Sequence, residues 1–114
     1  MALATAYATA HTATHANQIG WSDTTPYEIV KVISSKTIEI REMVATLDPT
    51  WTPEFIAGGF VGHCINQSDQ RWTYEQNPEA PVLRARLRKD GRFYSVMGKH
   101  LLSDKPQKFY DYNF

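Results

Sequence analysis

The sequence predicts a mainly β protein, a small antiparallel sheet or SH3-like barrel of six or seven short strands with a long loop containing Gly and Pro. Three observations predict this class: short runs alternate apolar and polar residues, polar turns separate the runs, and residues 45–70 are rich in Gly and Pro. Alternation with period two is typical of strands with one buried face. The 114 residues fit a single domain, 1–114, because one hydrophobic core usually occupies roughly 100–150 residues.

The first predicted elements lie in the N-terminal third of the chain. Residues 1–19 include an Ala/Thr-biased segment whose alternation permits a strand and whose alanines permit a helix, so this region stays open as a separate strand, helix or arm. Tyr27–Ile33 and Thr37–Val44 alternate on either side of a polar turn at Ser34–Lys36. Two such runs around a turn predict a β-hairpin.

The interval 45–70 contains two prolines and three glycines among several aromatic residues. Because Pro and Gly at this density oppose regular structure, we predict a long loop with a helical turn near Pro53–Ile56. A loop of this length in a small domain is more often functional than not.

Strand signals return after residue 70. Arg71–Gln76 is a predicted strand, and Asn77–Glu79 is a predicted turn. Val82–Arg88 and Arg92–Met97 flank Asp90-Gly91, which is a strong signal for a two-residue hairpin loop. Two further short strands are predicted at Leu101–Ser103 and Gln107–Tyr112.

The hairpin around Asp90-Gly91 carries the main candidate site. Side chains alternate along a strand, so Arg84, Arg86 and Arg88 share one face. With a two-residue loop, Phe93 lies opposite Arg88 and places a ring beside three guanidinium groups, and Arg92 adds a fourth cation. Arginine suits phosphate because its planar fork donates two parallel hydrogen bonds, while a ring can stack on a nucleobase. A solvated face paired with Glu75 or Glu79, or a subunit contact, stays open as the alternative.

Three other residues are candidate ligand contacts. Trp21 and Asp23 combine a ring with a carboxylate that can bind a ribose or a base edge, although a simple Asx or Ser/Thr turn explains the same segment. Trp72 is a second stacking candidate, with packing as the alternative.

The sequence contains no recognisable motif for catalysis or for cofactor binding. We therefore expect that the protein is not an enzyme and binds no cofactor and no metal. His11 and His15 are four residues apart, as two metal ligands on a helix would be, but no motif supplies a third ligand. His63 and Cys64 are sequence neighbours, whereas catalytic Cys/His pairs are usually distant in sequence.

Composition indicates a soluble, cytoplasmic protein. A single cysteine excludes an internal disulfide framework, and no apolar run approaches the roughly 20 residues of a membrane span. Twelve basic residues balance twelve acidic ones, but residues 1–70 hold three basic against seven acidic groups, and residues 71–108 hold nine against four. Such asymmetry is typical of an anion-binding half or of a head-to-tail contact between copies.

Several short motifs carry a family resemblance; they are Trp21-Ser22-Asp23, Tyr27 with the hairpin after it, Trp72-x-Tyr74-Glu75, Asp90-Gly91-Arg92 and the ending Phe109-Tyr110-Asp111-Tyr112-Asn113-Phe114. From about residue 20 onward, the chain resembles small phage-encoded β-rich proteins and is similar to the phage anti-Thoeris nucleotide-signal sponges. Those sponges sequester nucleotide messengers of bacterial immunity without catalysis, as homo-oligomers whose sites are shared between protomers. The resemblance implies the same here and assigns no individual site residue.

We therefore expect a non-enzymatic phage counter-defence protein that sequesters a small anionic nucleotide messenger, of the cyclic ADP-ribose type or a cyclic oligonucleotide. Its expected partners are that ligand and further copies of the chain, with no membrane. A small RNA- or single-strand-binding barrel is one alternative, although the sequence pI of 6.9 lies below the roughly 9 typical of such domains. A protein–protein inhibitor of a host defence enzyme, acting through the aromatic loop from Trp51 to Phe60, is the other.

Overall fold

The computed structural model describes residues 12–58 and 61–113, which form eleven short strands and one 3-10 turn. The strands are β1 (His15–Ile19), β2 (Thr24–Thr25), β3 (Tyr27–Ser34), β4 (Thr37–Glu42), β5 (Val44–Leu47), β6 (Phe55–Gly58), β7 (Val61–Cys64), β8 (Trp72–Glu75), β9 (Val82–Leu87), β10 (Phe93–Ser95) and β11 (Gly98–Ser103). The 3-10 turn spans Gln67–Asp69. Within the described ranges, no helix is long and apolar enough to cross a membrane.

Six antiparallel strands close into a small barrel, which confirms the predicted fold class. Their order is β11-β10-β9-β4-β3-β1, and β1 pairs with β11 to close the ring, from His15 opposite Ser103 to Ile19 opposite Lys99. The strand β2 extends the sheet beside β1. Closure satisfies the backbone groups of both edges, which an open sheet would leave unpaired. For residues 15–19, the strand interpretation is the correct one; residues 1–11 lie outside the described part.

The core fills the barrel with the inward-facing members of the alternating runs; these buried residues are Ala16, Tyr27, Ile38, Ile40, Ala85 and Phe93. The Tyr27 ring meets His100 edge-on, with 5.0 Å between the ring centroids. His100 is itself buried and has partners for both ring nitrogens, the Ser95 hydroxyl at 2.7 Å and the Ala16 carbonyl at 2.9 Å. The positions of the apolar residues along each strand therefore determine which face of the strand points into the barrel.

The predicted hairpin after Tyr27 is confirmed as β3 and β4, which turn at Ser35-Lys36 between the paired residues Ser34 and Thr37. Beyond Met43 the chain continues as β5, which pairs with β8 in a separate two-stranded sheet. This sheet and the segment between its strands form an arm on the barrel, residues 44–75.

The interval 45–70 holds more regular structure than the predicted loop. The strands β6 and β7 pair from Phe55 opposite Cys64, and the predicted helical turn at Pro53–Ile56 is wrong because Phe55 and Ile56 lie in β6. Gly62 explains why a glycine-containing segment forms this pair, since an added Cβ there would lie 3.3 Å from the Phe55 Cβ. Absence of a side chain permits the close approach.

Residues 104–113 follow β11 as a tail that connects the barrel with the arm. The Asn17 side chain donates to the Lys105 carbonyl and accepts from the Gln107 amide. Farther on, the Asn113 side chain accepts from the Cys64 amide at 2.7 Å and donates to its carbonyl at 2.9 Å. The predicted strand at Gln107–Tyr112 is reduced to one bridge, Thr24 with Phe109, because side chains rather than a strand partner satisfy much of this backbone.

Candidate anion-binding face

The hairpin of β9 and β10 is closed by Arg88 and Arg92, which leaves a loop of three residues, 89–91, so the predicted two-residue loop at Asp90-Gly91 is wrong. The Arg88 amide donates to the Arg92 carbonyl at 2.9 Å, and the Gly91 amide donates to the Arg88 carbonyl at 2.9 Å. Gly91 has a φ of 80°, the left-handed conformation that a three-residue hairpin loop places at its last position. This extra loop residue changes the register of the whole hairpin.

The changed register exchanges the roles of two aromatic residues. Phe93 pairs with Leu87 and is 1% exposed inside the barrel, so its predicted place beside the arginines is wrong. Tyr94 pairs with Arg86 instead and shares the outer face of the sheet with it. The sequence did not identify Tyr94, because Asp-Gly alone does not distinguish a two-residue loop from a three-residue one. The available signal was that Leu87 and Phe93 are both apolar, so that pairing them with each other puts both side chains on the buried face.

Three of the predicted arginines line one recess on this outer face. The recess has a volume of about 320 Å³ and is lined by Arg84, Arg86, Arg88, Tyr94, Ser95 and Val96. The Arg88 guanidinium lies over the Tyr94 ring, with 4.3 Å from Cζ to the ring centroid. Stacking of this kind restricts the guanidinium while leaving its N–H groups able to donate.

Tyr94 is itself held by the loop. Its hydroxyl donates to the Asp90 carboxylate, and the same carboxylate accepts the Arg92 amide at 3.0 Å. These hydrogen bonds, that from Tyr94 foremost, lower the pKa of Asp90, and the bond to Asp90 raises the pKa of Tyr94. The phenol therefore stays protonated and the ring keeps its position beside Arg88 at neutral pH.

Charge compensation along the row of arginines is incomplete. Arg84 forms a 3.5 Å ion pair with Glu39, which lies opposite it on β4, while Glu75 and Glu79 take no part. Over the described ranges, Arg86 and Arg88 have no carboxylate within 4.0 Å. Two adjacent guanidinium groups without an ion-pair partner leave a positive potential that favours a bound anion.

Lys99 extends the positive face by one strand, and sequence reasoning missed it as well. Tyr94 pairs with Arg86 on one side and with Lys99 on the other, so the three side chains form a row across β9, β10 and β11. The row depends on the pairing of β10 with both neighbours, which no local motif in the sequence specifies.

The remaining predicted residues lie elsewhere. Arg92 is exposed directly after the three-residue loop, opposite Arg88 and near Asp90 and Tyr94. Trp72 belongs to the base of the arm, where its Nε1 donates to the Gln70 side chain at 2.8 Å and Lys108 Nζ lies 5.7 Å from its ring centroid.

Trp21 and Asp23 belong to a second recess, of about 480 Å³. Its lining residues are Gln18, Gly20, Trp21, Ser22, Asp23, Thr25, Tyr110, Asp111 and Tyr112. Trp21 is 93% exposed, and Asp23 Oδ1 accepts the Asp111 amide at 2.9 Å. The eight predicted contacts thus divide among the arginine face with its loop, the second recess, the arm and the core.

Metal-binding side chains do not converge: across residues 12–58 and 61–113, no three His, Cys, Asp or Glu side chains form a group able to hold an ion. His11 lies outside these ranges. Cys64 is buried, and its thiol lies 3.4 Å from the Asn66 side-chain oxygen.

Comparison with known proteins returned no match: no family model, no curated protein and no solved structure is significantly similar to this chain.

Proposed function

We propose that this protein is a non-enzymatic binder of a small anionic nucleotide and that it serves a phage as a counter-defence sponge in the bacterial cytoplasm. One observation carries the binding role: Arg86 and Arg88, without a carboxylate partner, line the same recess as the ring of Tyr94. Phosphate and ring recognition are the two elements that nucleotide binding requires. The counter-defence role rests on the resemblance described above.

The recess is preorganised, because two of its side chains are held in place in the free protein. Arg88 stacks on Tyr94, and Tyr94 is hydrogen-bonded to Asp90, so little side-chain freedom is lost on binding. A hydrogen bond between a guanidinium and a charged oxygen contributes about 1.5–3 kcal/mol. Loss of Arg86 should therefore weaken binding by about 10- to 100-fold.

Isothermal titration tests the binding role directly. ADP-ribose, cyclic ADP-ribose and a cyclic dinucleotide are titrated into the wild type, Arg86→Gln, Arg88→Gln and the control Arg71→Gln. Arg71 is also an exposed arginine but contacts Thr50 in the arm, 3.2 Å away. At least one ligand should bind the wild type and the control equally and the two test variants weakly; equal binding to the wild type and all three variants contradicts the assignment.

Sequestration predicts that the ligand is released unchanged. After incubation and heat denaturation, mass spectrometry should recover the intact molecule, whereas products would indicate a hydrolase. An oligonucleotide that binds better than any small nucleotide, with affinity falling steeply as salt rises, would instead indicate the single-strand-binding alternative.

Assembly of several copies belongs to the same proposal. The recess is shallow and lies on an open strand face, and a neighbouring copy would supply a second wall. Light scattering after size-exclusion chromatography should give a mass above the 13.0 kDa of one chain.

The alternative function, inhibition of a host defence enzyme by direct protein–protein contact, requires that the aromatic side chains of the arm are accessible. Trp51 is 5% exposed and packs against Tyr112, with 5.6 Å between ring centroids, which leaves it no surface for a partner. Phe55 and Ile56 are about half exposed, so these two side chains are the ones that a protein partner would contact. A stoichiometric protein partner that is lost in a Phe55→Ser variant, with no small-molecule affinity, would favour it.

A further inference from the structure

One end of the barrel exposes large apolar side chains, and we call it the turn end. Two turns meet there, residues 20–23 between β1 and β2 and residues 96–97 between β10 and β11, because β1 pairs with β11 and the chain turns directly after the one and directly before the other. The large apolar residues of these turns are each more than half exposed; they are Trp21, Val96 and Met97. Val96 also lines the arginine recess, which leaves Trp21 and Met97 for a separate contact. Large apolar side chains gathered on a surface are typical of a binding site.

The two turns are held together by one side chain. The Gln18 side-chain amide donates to the Met97 carbonyl at 3.1 Å. The same Nε2 atom would lie 3.7 Å from a Cβ added at Gly20 and 3.8 Å from a Cβ added at Gly98. Gln18 is therefore close to both turns, so Trp21 and Met97 belong to the same end of the barrel.

The second recess opens at this end, beside Trp21. The turn at residues 20–23 forms one wall, and the tail at residues 110–112 forms the other. The Asp111 amide donates to Asp23 Oδ1 at 2.9 Å, which fastens the tail to the turn. A volume of about 480 Å³ lies within the about 300–1,000 Å³ of known ligand pockets, so the recess has room for one side chain of a partner or for a small molecule.

The second recess is acidic, the opposite of the arginine face. Asp23 and Asp111 line it, and each uses its Oδ1 to accept a backbone amide, from Asp111 and Asn113 respectively. In the described part of the chain, neither Oδ2 has a hydrogen-bond donor and neither carboxylate has a cationic side chain within 4.0 Å. Two carboxylates without an ion-pair partner leave a negative potential that favours a bound cation.

An exposed indole completes the recess. The Tyr110 and Tyr112 rings pack edge-on with 4.8 Å between their centroids, and Tyr112 also packs on Trp51. These tyrosines are therefore fixed parts of one wall, whereas Trp21 is open to solvent. Among aromatic side chains, tryptophan is the best partner for a cation placed over its face.

A guanidinium group fits both features of this recess. Its edge donates two parallel hydrogen bonds to a carboxylate, and its flat face stacks on an aromatic ring. An ammonium group has donors but no flat face, so arginine matches the recess better than lysine does. Trp and Arg are also two of the residue types most enriched in the hot spots of protein interfaces.

We propose that the turn end is the binding surface for a partner protein, which inserts an arginine side chain into the second recess. The guanidinium stacks on Trp21 and donates to the free oxygens of Asp23 and Asp111. Apolar neighbours of that arginine pack on Met97, and this contact is the reason for a protein occupant, since an exposed apolar side chain contributes nothing to binding a small free cation. The surface is separate from the arginine face, so the inference does not depend on the proposed nucleotide binding.

A second copy of this chain is a poorer source of the arginine. Several of its arginines are already engaged by groups of their own chain, through an ion pair with Glu28, an ion pair with Glu39 and a stack on Tyr94. The arginines engaged in this way are Arg41, Arg84 and Arg88. Each would lose its present contact on entering the recess of another copy.

Nuclear magnetic resonance titration of the isotope-labelled full chain tests this surface, because it detects weak binding residue by residue. The probes are the capped peptides Leu-Arg-Leu and Leu-Gln-Leu and the free cation ethylguanidinium. The variants are Asp23→Asn, Asp111→Asn and Trp21→Ser. The matched control is Asp104→Asn, at an exposed aspartate that follows β11 at the other end of the barrel. Asparagine retains an Oδ1 that accepts the same backbone amide, so the turn and the tail should stay in place, and thermal unfolding of each variant checks that they do.

Leu-Arg-Leu should shift the resonances of the Trp21 indole and of the Met97 amide. It should bind about tenfold more tightly than Leu-Gln-Leu, because only the guanidinium makes charged hydrogen bonds. It should bind at least about threefold more tightly than ethylguanidinium, because its leucines cover apolar surface on the turn. Asp23→Asn and Asp111→Asn should each weaken Leu-Arg-Leu by about threefold to tenfold, and Trp21→Ser by at least about tenfold, while Asp104→Asn should leave the affinity unchanged.

Absence of any shift, equal affinity for Leu-Arg-Leu and Leu-Gln-Leu, or binding that none of the test variants weakens would overturn the inference. Ethylguanidinium that binds as tightly as Leu-Arg-Leu would show a site for a small cation and would overturn the protein partner. A mass by light scattering that falls in Asp111→Asn would show that a second copy is the occupant, which also overturns it. Arg86→Gln should bind Leu-Arg-Leu as the wild type does, so failure of the turn end and failure of the arginine face are distinguishable.

Discussion

Replacement of Phe93 by alanine tests the hairpin register on which the candidate site depends. Phe93 is 1% exposed and belongs to the barrel core, between Leu87 and His100 on the adjacent strands. A buried aromatic side chain removes about 150–250 Å² from water, which at about 25 cal/mol per Å² corresponds to about 4–6 kcal/mol. Measured Phe→Ala substitutions in cores cost about 3–5 kcal/mol, so both routes give a similar value.

Thermal and urea denaturation measure this loss. At about 2.1 cal/mol/K per residue, the 114 residues have an unfolding entropy near 0.24 kcal/mol/K, so Tm should fall by about 12–20 °C. Such a loss is a large fraction of the about 5–15 kcal/mol by which domains are stable. If Phe93→Ala proves too unstable to purify, Phe93→Leu should show the same direction with a smaller loss and should retain ligand binding.

The matched variant is Tyr94→Leu on the outer face. It should change the free energy of unfolding by less than about 1 kcal/mol, as most surface substitutions do, and weaken nucleotide binding. The opposite pattern, a stable Phe93→Ala that loses binding together with a Tyr94→Leu that binds normally, would refute the three-residue loop and the register derived from it.

Three further outcomes are expected. Gly91→Ala should cost about 1–2 kcal/mol in urea denaturation, because its φ of 80° is unfavourable for a residue with a Cβ while nothing within 4 Å opposes that atom. Glu28→Ala should cost about 2–3 kcal/mol by the same assay, because Arg41 and Gln76 both donate to this buried carboxylate; a loss below 0.5 kcal/mol would contradict that role. Burial lowers the pKa of His100, so the unfolded chain takes up a proton that the native chain does not. Stability should therefore fall as pH drops below about 6.5, with a slope of up to about 1.4 kcal/mol per pH unit that is reduced in His100→Gln.

Local pattern predicted most of the barrel strands. The hairpin of β3 and β4 was predictable because its two strands alternate around a polar turn and pair with each other directly. The common face of Arg84, Arg86 and Arg88 was predictable for the same reason, since alternation along one strand requires no partner. The paired strands β6 and β7 were not predictable, because a segment with Gly58, Gly59 and Gly62 has a composition that is typical of loops.

The candidate site was predictable only in part. The arginines follow from one strand, but Tyr94 and Lys99 join them through the loop length at Gly91 and through the pairing of β10 with both neighbours. The second recess combines the β1–β2 turn with the C-terminal tail, which are separated by almost 90 residues along the chain. Contacts of that kind leave no periodic trace in the sequence.

The amino-acid sequence by itself determined the alternating runs of the barrel, the face of each run that points inward and the charge of its outward face, because these depend on backbone geometry within a few residues. Tertiary structure alone decided which strands that are distant in the sequence meet. Closure of β1 against β11 and docking of the tail on Asn17 and Cys64 join segments that are far apart in the chain. Such pairings form when core packing and satisfied backbone hydrogen bonds outweigh the entropy lost on closing long loops, and that balance is a property of the whole fold.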